Sequence, residues 1–221
     1  MITLKNITKE YKSEEETLQV LSGINMHVNK GEVAAIMGRS GCGKSTLLNI
    51  VGGIITPTKG EVWIDKEKVD FESTGKLCEI RRKDIGYVVQ NFALINRKTV
   101  FENIILPIKS HEYKKNHYEK VKILLEELGL ESKINKYPAQ LSNGEKQRVA
   151  IARAIVDDKK IILADEPTGA LDYENAENII HILQRLAKKK EITVLVATHD
   201  CEIADKCDRI YHITYGKIEN N

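Results

Sequence analysis

Several features that would place the chain in a broad class are missing from its sequence. None of its 221 residues lies in an apolar run that approaches the roughly 18 residues of a membrane helix, and the strand-like start, residues 1–7, lacks the apolar core of a signal peptide. The 34 basic residues nearly balance the 32 acidic ones, so no positive surface for nucleic acid is indicated. We therefore expect no nucleic-acid partner, and any membrane role would need a partner that supplies the span.

Cysteine is also scarce, and its spacing is uninformative. Cys42, Cys78, Cys201 and Cys207 form no CxxC pair and fit no common metal motif, so we expect reduced thiols of the kind found in cytosolic proteins. The remaining composition, 42% apolar and 30% charged, is that of an ordinary globular protein of one good-sized domain.

Apolar residues follow two different periods along the chain. The first 35 or so residues are typical of strands, and the apolar runs 33–37, 161–164 and 192–197 predict further strands buried on both faces. Helical spacing appears in 46–51, in 121–128 and, with a lysine-rich end, in 176–190. Alternating strands and helices predict a mainly parallel α/β sheet. The largely helical residues 91–158, with a charged patch at 109–120 that we interpret as solvated, predict a lobe inserted into it.

Residues 38–45, Gly-Arg-Ser-Gly-Cys-Gly-Lys-Ser, match the phosphate-loop pattern G-x-x-x-x-G-K-[ST] between a predicted strand and helix. Glycines let successive N–H groups point at phosphates, and the helix start adds positive potential. Lys44 would add a cation on the β/γ oxygens, and the Ser45 hydroxyl would ligate Mg²⁺. The nucleotide-binding candidates here are Gly38, Arg39, Ser40, Gly41, Cys42, Gly43, Lys44, Ser45 and Thr46.

Two acids, Asp165 and Glu166, follow the buried run 161–164. At a strand end beside a phosphate loop, the first acid would organise Mg²⁺ and its waters. The second would orient and deprotonate the attacking water. These elements predict use of Mg²⁺ and ATP, but by themselves they leave kinases, GTPases and helicases open.

The segment 141–148, Leu-Ser-Asn-Gly-Glu-Lys-Gln-Arg, narrows the choice. It resembles the Leu-Ser-Gly-Gly-Gln signature of ATP-binding-cassette (ABC) ATPases, and the resemblance extends in order over nearly the whole chain. It implies ATP and Mg²⁺ as cofactors and one ABC ATPase domain, residues 1–221. That fold is a P-loop (RecA-like) α/β core, residues 1–90 and 159–221, with an antiparallel β N-terminal part and an inserted α-helical lobe, residues 91–158.

The resemblance also implies roles for single residues. Tyr11 would stack on adenine, Asp172 would contact the opposite subunit, and His199 would contact the γ-phosphate. Gln90 would link Mg²⁺ and the attacking water to a membrane partner. The implied catalytic residues are thus Glu166, His199 and Gln90, and the implied metal ligands are Ser45, Gln90 and Asp165.

The signature residues Ser142, Asn143, Gly144 and Glu145 would complete the γ-phosphate site of a second copy. Ser142 and the N–H groups at Gly144 would open a helix, which is an anion site, so ATP would be held between two copies. Asn143 and Glu145 depart from the signature. If its first glycine serves a left-handed backbone, asparagine is a side chain that tolerates this conformation.

Residues 81–92 and 164–172 are most similar to the MacB/LolD-like branch, which implies export of a lipoprotein, peptide or drug through a separate permease. The protein would then lie at the cytoplasmic face of the membrane, with the apolar segment 92–95 docking the permease, unless Phe92 and Leu94 belong to the lobe core. Two alternatives are an ABC ATPase that drives mechanical signalling across the membrane and a soluble ABC protein of DNA repair or translation. Soluble relatives usually carry two cassettes, a coiled coil or zinc insertions, and this chain has one cassette and none of the others.

Overall fold

The computed structural model describes residues 1–13, 16–108 and 115–219, which form two sheets and a set of helices. The strands are β1 Ile2–Lys12, β2 Thr17–Val28, β3 Val33–Met37, β4 Lys59–Ile64, β5 Glu67–Lys68, β6 Ile85–Val89, β7 Ile161–Asp165, β8 Thr193–Thr198, β9 Arg209–Thr214 and β10 Lys217–Ile218. The helices are α1 Lys44–Val51, α2 Thr74–Lys83, α3 Val100–Ile104, α4 Lys115–Glu127, α5 Asn143–Ile155, α6 Tyr173–Lys190 and α7 Cys201–Ala204, with 3₁₀ turns at Glu131–Lys133 and Pro138–Gln140.

The first sheet is antiparallel, with the strand order β2-β1-β4-β5. The second has the order β10-β9-β3-β8-β7-β6, and all its neighbouring pairs are parallel except the hairpin of β9 and β10. The predicted α/β class, the mainly parallel core and the antiparallel N-terminal part are confirmed.

The parallel register brings the predicted site segments to one edge. Val89 pairs with Asp165, Asp165 pairs with Ala197, and Met37 pairs with Thr198. The loops that follow β3, β6, β7 and β8 therefore leave the sheet side by side, at the carboxyl edge where α/β proteins bind ligands.

Alternate residues of the central strands pack into two separate cores, as expected for strands buried on both faces. Ile161 and Leu163 lie in a cluster with the antiparallel sheet and α1, whereas Ile162 and Ala164 lie in a cluster with α4, α5 and α6. The division of the chain into a core and a lobe at residues 90 and 159 remains a prediction, because the second cluster joins lobe helices to sheet strands.

The helix predicted over 121–128 is confirmed as the end of α4, which stops at Glu127, and the predicted apolar positions Val121, Leu124, Leu125 and Leu128 are buried. Residues 91–99 are not helical, so the lobe begins with an irregular segment. Part of the charged patch predicted at 109–120, residues 109–114, lies outside the described residues. All four cysteines are free thiols, as expected.

Candidate nucleotide-binding site

The loop between β3 and α1 has a backbone shape that requires glycine. φ is 80° at Gly41 and 107° at Gly43, and a Cβ at Gly43 would lie 2.7 Å from Leu21 Cδ2 and 3.0 Å from the Val20 oxygen. Gly43 is the N-cap of α1, and no side chain in the described part of the chain caps this helix. The first N–H groups of α1 are therefore left for an anion, as phosphate binding requires.

The ammonium group of Lys44 is held close to this loop. Its side chain is 6% exposed, and Nζ donates to the Gly38 oxygen at 2.7 Å and to the Arg39 oxygen at 3.2 Å. Nζ also lies 3.5 Å from Glu166 Oε1. A buried cation needs such acceptors, and a phosphate oxygen that entered the loop would provide a further one.

Asp165 ends β7 beside the phosphate loop, where Ser45 Oγ donates to Asp165 Oδ1 at 3.0 Å. Burial raises the pKa of Asp165 and the adjacent Glu166 raises it further, while Ser45 and Lys44 act in the opposite direction. The Ser45 hydroxyl and the Asp165 carboxylate are ligands that fit Mg²⁺. This ion commonly takes one or two protein oxygens and fills its remaining positions with water and phosphate. The described residues contain no group of three or more His, Cys, Asp or Glu side chains that could hold a metal ion.

Glu166 is held in an unusual backbone conformation and contacts the predicted switch histidine. Its φ is 47°, a left-handed value that costs a non-glycine residue about 1–3 kcal/mol. Glu166 Oε2 lies 2.9 Å from His199 Nδ1, a hydrogen-bond distance. Such strain concentrates at functional sites, and here it accompanies the contact between the two residues predicted to act on the attacking water and the γ-phosphate.

Gln90 follows β6 and reaches the loop that leads to Asp172. A Cβ added at Gly169 would lie 2.7 Å from Gln90 Nε2, so Gly169 leaves the space through which this side chain passes. Asp172 caps α6 by accepting from the Asn175 N–H at 2.9 Å. These hydrogen bonds hold the pKa of Asp172 below its usual range, so Asp172 has a structural role besides its predicted contact with a second copy.

Two adjoining clefts bring together most of the predicted site. The larger, of about 1180 Å³, is lined among others by Gly38, Arg39, Ser40, Gly41, Cys42, Gln90, Glu166 and His199. The smaller, of about 650 Å³, adds Gly43, Lys44, Ser45, Thr46 and Asp165.

Tyr11 and the signature residues are not among the described residues that line these clefts. Tyr11 lies on β1 with 43% of its surface exposed, opposite Leu18, and the Lys9 ammonium sits 4.9 Å from its ring centre. Its strand partner Leu18 does line the larger cleft. The adenine contact of Tyr11 therefore stays a prediction.

The signature segment opens α5 with a complete capping box. Ser142 Oγ accepts from the Glu145 N–H at 3.2 Å, and Glu145 Oε2 accepts from the Ser142 N–H at 2.8 Å. Lys133 Nζ lies 3.0 Å from Glu145 Oε1. The helix start expected at Ser142 is confirmed, and Glu145, one of the two departures from the signature, forms part of it. The pattern S-x-x-E could have revealed this capping box.

Asn143 does not occupy the left-handed position that the sequence suggested. It is the first residue of α5, where an ordinary helical backbone requires neither glycine nor asparagine. Its Nδ2 lies 3.4 Å from the Ala170 oxygen, a weak contact with the loop before Asp172. The explanation of this departure by backbone tolerance is therefore wrong.

Gly144, in contrast, is required by packing. A Cβ there would lie 2.4 Å from Asn175 Oδ1, and Asn175 Nδ2 donates to both carboxylate oxygens of Asp172, at 3.0 and 2.8 Å. Sequence reasoning missed Asn175, because its contact with the signature crosses 31 positions. This contact joins the start of α5 to the start of α6.

Comparison with known families decides the class, because the ABC transporter family model matches residues 21–169, from β2 through the loop after β7. The chain belongs to the ABC transporter family. It is an ATP-binding subunit and an ATPase of that family.

The ABC relatives match over nearly the full chain. MJ0796 of Methanocaldococcus jannaschii, an ABC transporter ATP-binding protein, is 44% identical, with 99% of this chain and 95% of the relative covered. YvrO of Bacillus subtilis is 43% identical with the same coverage. LolD of Francisella tularensis, the ATP-binding protein of a lipoprotein-releasing system, is 37% identical over 99% of this chain and 96% of its own length.

Two solved structures share this ABC fold. The dimeric structure of MJ0796 superposes with a TM-score of 0.89 at 42% identity, covering 100% of this chain and 97% of that one. The dimeric post-hydrolysis state of MJ0796, bound to ADP and phosphate, gives 0.88 at the same identity and coverage.

The segment after Gln90 is fixed by a residue that sequence reasoning missed. Phe92 and Ala93 have φ values of 62° and 47°, and Arg153, near the end of α5, donates to the oxygens of both, at 2.8 and 2.5 Å. The buried side chain of Asn103 also holds Ile95: the Ile95 N–H donates to Asn103 Oδ1, and Asn103 Nδ2 donates to the Ile95 oxygen. The ABC signature helix and the irregular segment 92–95 are thus directly connected.

No helix in the described part of this ABC subunit is long and apolar enough to cross a membrane.

Proposed function

We propose that the chain hydrolyses Mg-ATP as a sandwich dimer at the cytoplasmic face of the membrane and energises a separate permease that exports a peptide, lipoprotein or drug-like molecule. The observation that carries this proposal is the convergence of Lys44, Ser45, Asp165, Glu166 and His199 at one edge of the parallel sheet. This set contains a phosphate cation, metal ligands and a candidate base, which are the groups that ATP hydrolysis needs.

The described side chains divide the reaction between them. The α1 N–H groups and Lys44 hold the β- and γ-phosphates. Ser45 and Asp165, with Gln90, would hold Mg²⁺, which neutralises phosphate charge when bound. Glu166 accepts the proton of the attacking water.

His199, whose Nδ1 lies 2.9 Å from Glu166 Oε2, orients this carboxylate and would contact the γ-phosphate of bound ATP.

A second copy supplies what one copy lacks at this edge. The α5 start offers N–H groups, yet none of the signature residues 142–145 is among the described residues that line the two clefts. The dimeric structures of MJ0796, one with ADP and phosphate, support a dimer. In the proposed sandwich, α5 of one copy covers the phosphates of the other.

The permease docks on the segment 92–95. Ala93 and Ile95 are exposed, Ile95 by 44%, and such apolar surface commonly marks docking. Leu94 instead packs partly on the lobe cluster, which favours Ile95 as the contact. The similarity to LolD supports a lipoprotein or a related amphipathic molecule as the exported substrate.

The Glu166→Gln variant tests the hydrolytic role. It should bind Mg-ATP with near-normal affinity, lose about 10²–10⁴-fold of its turnover, and accumulate as an ATP-bound dimer in size-exclusion chromatography. Near-normal turnover would exclude Glu166 as the base, and a monomer with ATP would exclude the sandwich.

An Ile95→Glu variant tests the docking segment. A charge there should abolish capture of the partner permease, while basal ATPase activity and melting temperature stay unchanged. Ile123→Glu is the matched control, because Ile123 is an exposed isoleucine on α4. Equal permease capture by both variants would refute docking at this segment, and a lower melting temperature of Ile95→Glu alone would make Ile95 part of the fold.

A further inference from the structure

The turn between β9 and β10 contains a residue that is poorly suited to its backbone. Tyr215 and Gly216 form a two-residue hairpin loop with φ values of 49° and 73°. Positive φ at both positions is the condition of a type I′ turn, for which Asn-Gly and Asp-Gly are strongly preferred. Gly216 tolerates this backbone, and only glycine fits there, because a Cβ would lie 2.4 Å from the Val20 oxygen. Tyrosine at the first position is not among the preferred residues.

A second turn of the same kind has a better-suited residue at its first position. Between β4 and β5, Asp65 and Lys66 have φ values of 49° and 69°. Aspartate tolerates this conformation, and its carboxylate lies 3.6 Å from Lys160 Nζ. Tyr215 is 93% exposed, so packing within one chain does not offset its strained backbone. Violations of local preference that nothing nearby offsets are expected at functional surfaces.

The position of Tyr215 identifies the surface in question. Tyr215 lines the larger cleft, together with the phosphate-loop residues Gly38–Cys42 and with Glu166 and His199. Leu18, 64% exposed, lines the same cleft. Two exposed apolar side chains therefore line the same cleft as Glu166 and His199, the residues predicted to act on the attacking water and the γ-phosphate.

We propose that Tyr215 is an anchor residue by which one copy of this chain holds a second copy when ATP closes the sandwich. The proposal rests on the function proposed above, because it needs the sandwich dimer. Tyrosine supplies a large, rigid contact area and is enriched among residues that dominate binding energy. In a two-fold dimer each anchor occurs twice, so its contribution counts twice.

A second copy fits this cleft better than the nucleotide alone. The signature residues must come from outside to reach the phosphates, and the copy that brings them closes over the cleft that Tyr215 lines. The docking segment 92–95 is not among the described residues of this cleft, so the permease is the weaker candidate. A direct contact between Tyr215 and the adenine base is the competing explanation that the experiment must separate.

The experiment uses the full chain in the Glu166→Gln background with added Tyr215→Asn, Tyr215→Phe or Ile123→Gln. Asparagine suits the turn, phenylalanine keeps the ring, and Ile123 is an exposed apolar residue on α4. Sedimentation measures ATP-driven dimerisation, calorimetry measures ADP affinity of the monomer, and thermal unfolding reports the fold.

Tyr215→Asn should raise the dimer dissociation constant about tenfold or more, with ADP affinity unchanged and the melting temperature equal or higher. Tyr215→Phe and Ile123→Gln should dimerise like the parent. Unchanged dimerisation of Tyr215→Asn would refute the role of the Tyr215 ring as an anchor and leave the proposed sandwich intact. A loss by Tyr215→Phe as large as that of Tyr215→Asn would do the same. Weaker ADP binding by Tyr215→Asn would assign Tyr215 to the nucleotide instead, and a parent that stays monomeric with ATP would overturn the anchor and the proposed sandwich together.

Discussion

Helices α1 and α5 both begin where a phosphate contact is expected, but only α5 has a side-chain cap on its first N–H groups. The N-cap of α1 is Gly43, and no side chain among the described residues caps this helix. The N-cap of α5 is Ser142, which forms both hydrogen bonds of a capping box with Glu145. α1 thus offers free donors to an anion inside its own chain. The capping box of α5 engages the N–H groups of Ser142 and Glu145, which leaves those of Asn143 and Gly144 for a partner's phosphate. The carboxylate of Glu145 lies at the same helix start.

The N–H groups at the start of α1 therefore gain hydrogen-bond partners only when an anion binds. The start of α5 already has side-chain partners in the folded chain. An open helix start keeps its donors available but contributes less to stability. The capped start is rigid before the second copy arrives, and Lys133 offsets the charge of Glu145 at 3.0 Å. Substitutions at α1 should therefore affect nucleotide binding, and substitutions at α5 should affect stability and dimerisation.

The largest effect is expected from Lys44→Ala at the open start. It removes a buried cation from the phosphates, and a hydrogen bond to a charged group is worth about 1.5–3 kcal/mol, so affinity should fall roughly 10- to 150-fold. Titration with a fluorescent ATP analogue measures this loss. Lys30→Ala, which removes an exposed ion pair with Glu191, is the control, and equal affinities of the two variants would mean that Lys44 does not contact the phosphates.

Ser142→Ala should have the next largest effect, at the capped start. Loss of an N-cap serine costs about 1 kcal/mol, to be measured by urea unfolding, and ATP-driven dimerisation should weaken as well. Ser73→Ala is the matched control, because Ser73 caps α2 by accepting from the Lys76 N–H. It should cost similar stability and leave dimerisation intact. If both variants dimerise equally well, the α5 start does not contact the second copy.

Glu145→Gln should change the charge of the capped start while keeping its hydrogen bonds, because glutamine also completes a capping box. Dimerisation in the Glu166→Gln background should tighten by a few-fold, corresponding to less than about 1 kcal/mol for a paired, screened carboxylate. The gain should shrink as salt is added. A weaker dimer at every salt concentration would show that the carboxylate itself supports the contact.

The same variant should alter the response to acid. Burial raises the pKa of Glu145, but hydrogen bonds from the Ser142 N–H and Lys133 outweigh this effect and hold the pKa below its ordinary value. A lowered folded-state pKa gives stability that is complete above about pH 4.3, the ordinary glutamate value, and is lost as the pH falls below it. Glu145→Gln should therefore be less sensitive to pH below 4.3 in thermal unfolding, and an identical pH profile would contradict this assignment.

Asn143→Gly should have the smallest effect. Since Asn143 begins α5 with ordinary helical backbone and makes only a weak contact with Ala170, restoring the family glycine removes little. We expect turnover within about twofold of the parent and stability within about 0.5 kcal/mol, measured by steady-state ATPase assay and urea unfolding. A large loss of activity would show that the asparagine amide has a role that the weak contact does not explain.

The sequence was sufficient to predict the open start of α1, and at α5 it predicted where the helix begins but not the contacts around that start. Spacing alone located the phosphate loop, because Gly43, Lys44 and Ser45 act through local geometry between a strand and a helix. Asp165 and Glu166 could be added because a buried apolar run ends at them. Parallel register then explains why these segments meet, although no local pattern shows it.

Contacts between distant segments could not be foreseen. Asn175 sits against Gly144, and Arg153 holds the oxygens of Phe92 and Ala93, yet neither pair shares a local motif. The glycine usual at position 143 suggested a left-handed backbone, which Asn143 does not have. The neighbouring Gly144 is instead needed because a Cβ would collide with Asn175. Only packing distinguishes these two reasons for a glycine.

The hydrogen bonds of Arg153 have a consequence for chimeric transporters. Phe92 and Ala93 hold a backbone that few side chains tolerate, and the guanidinium that supports it belongs to a helix more than fifty positions later in the chain. Exchanging residues 91–99 with those of another subunit, so as to retarget this one to a new permease, would separate the incoming segment from the side chain that supports it in its own subunit. A functional graft should therefore also bring the donor residue that corresponds to Arg153, or place glycine at both left-handed positions.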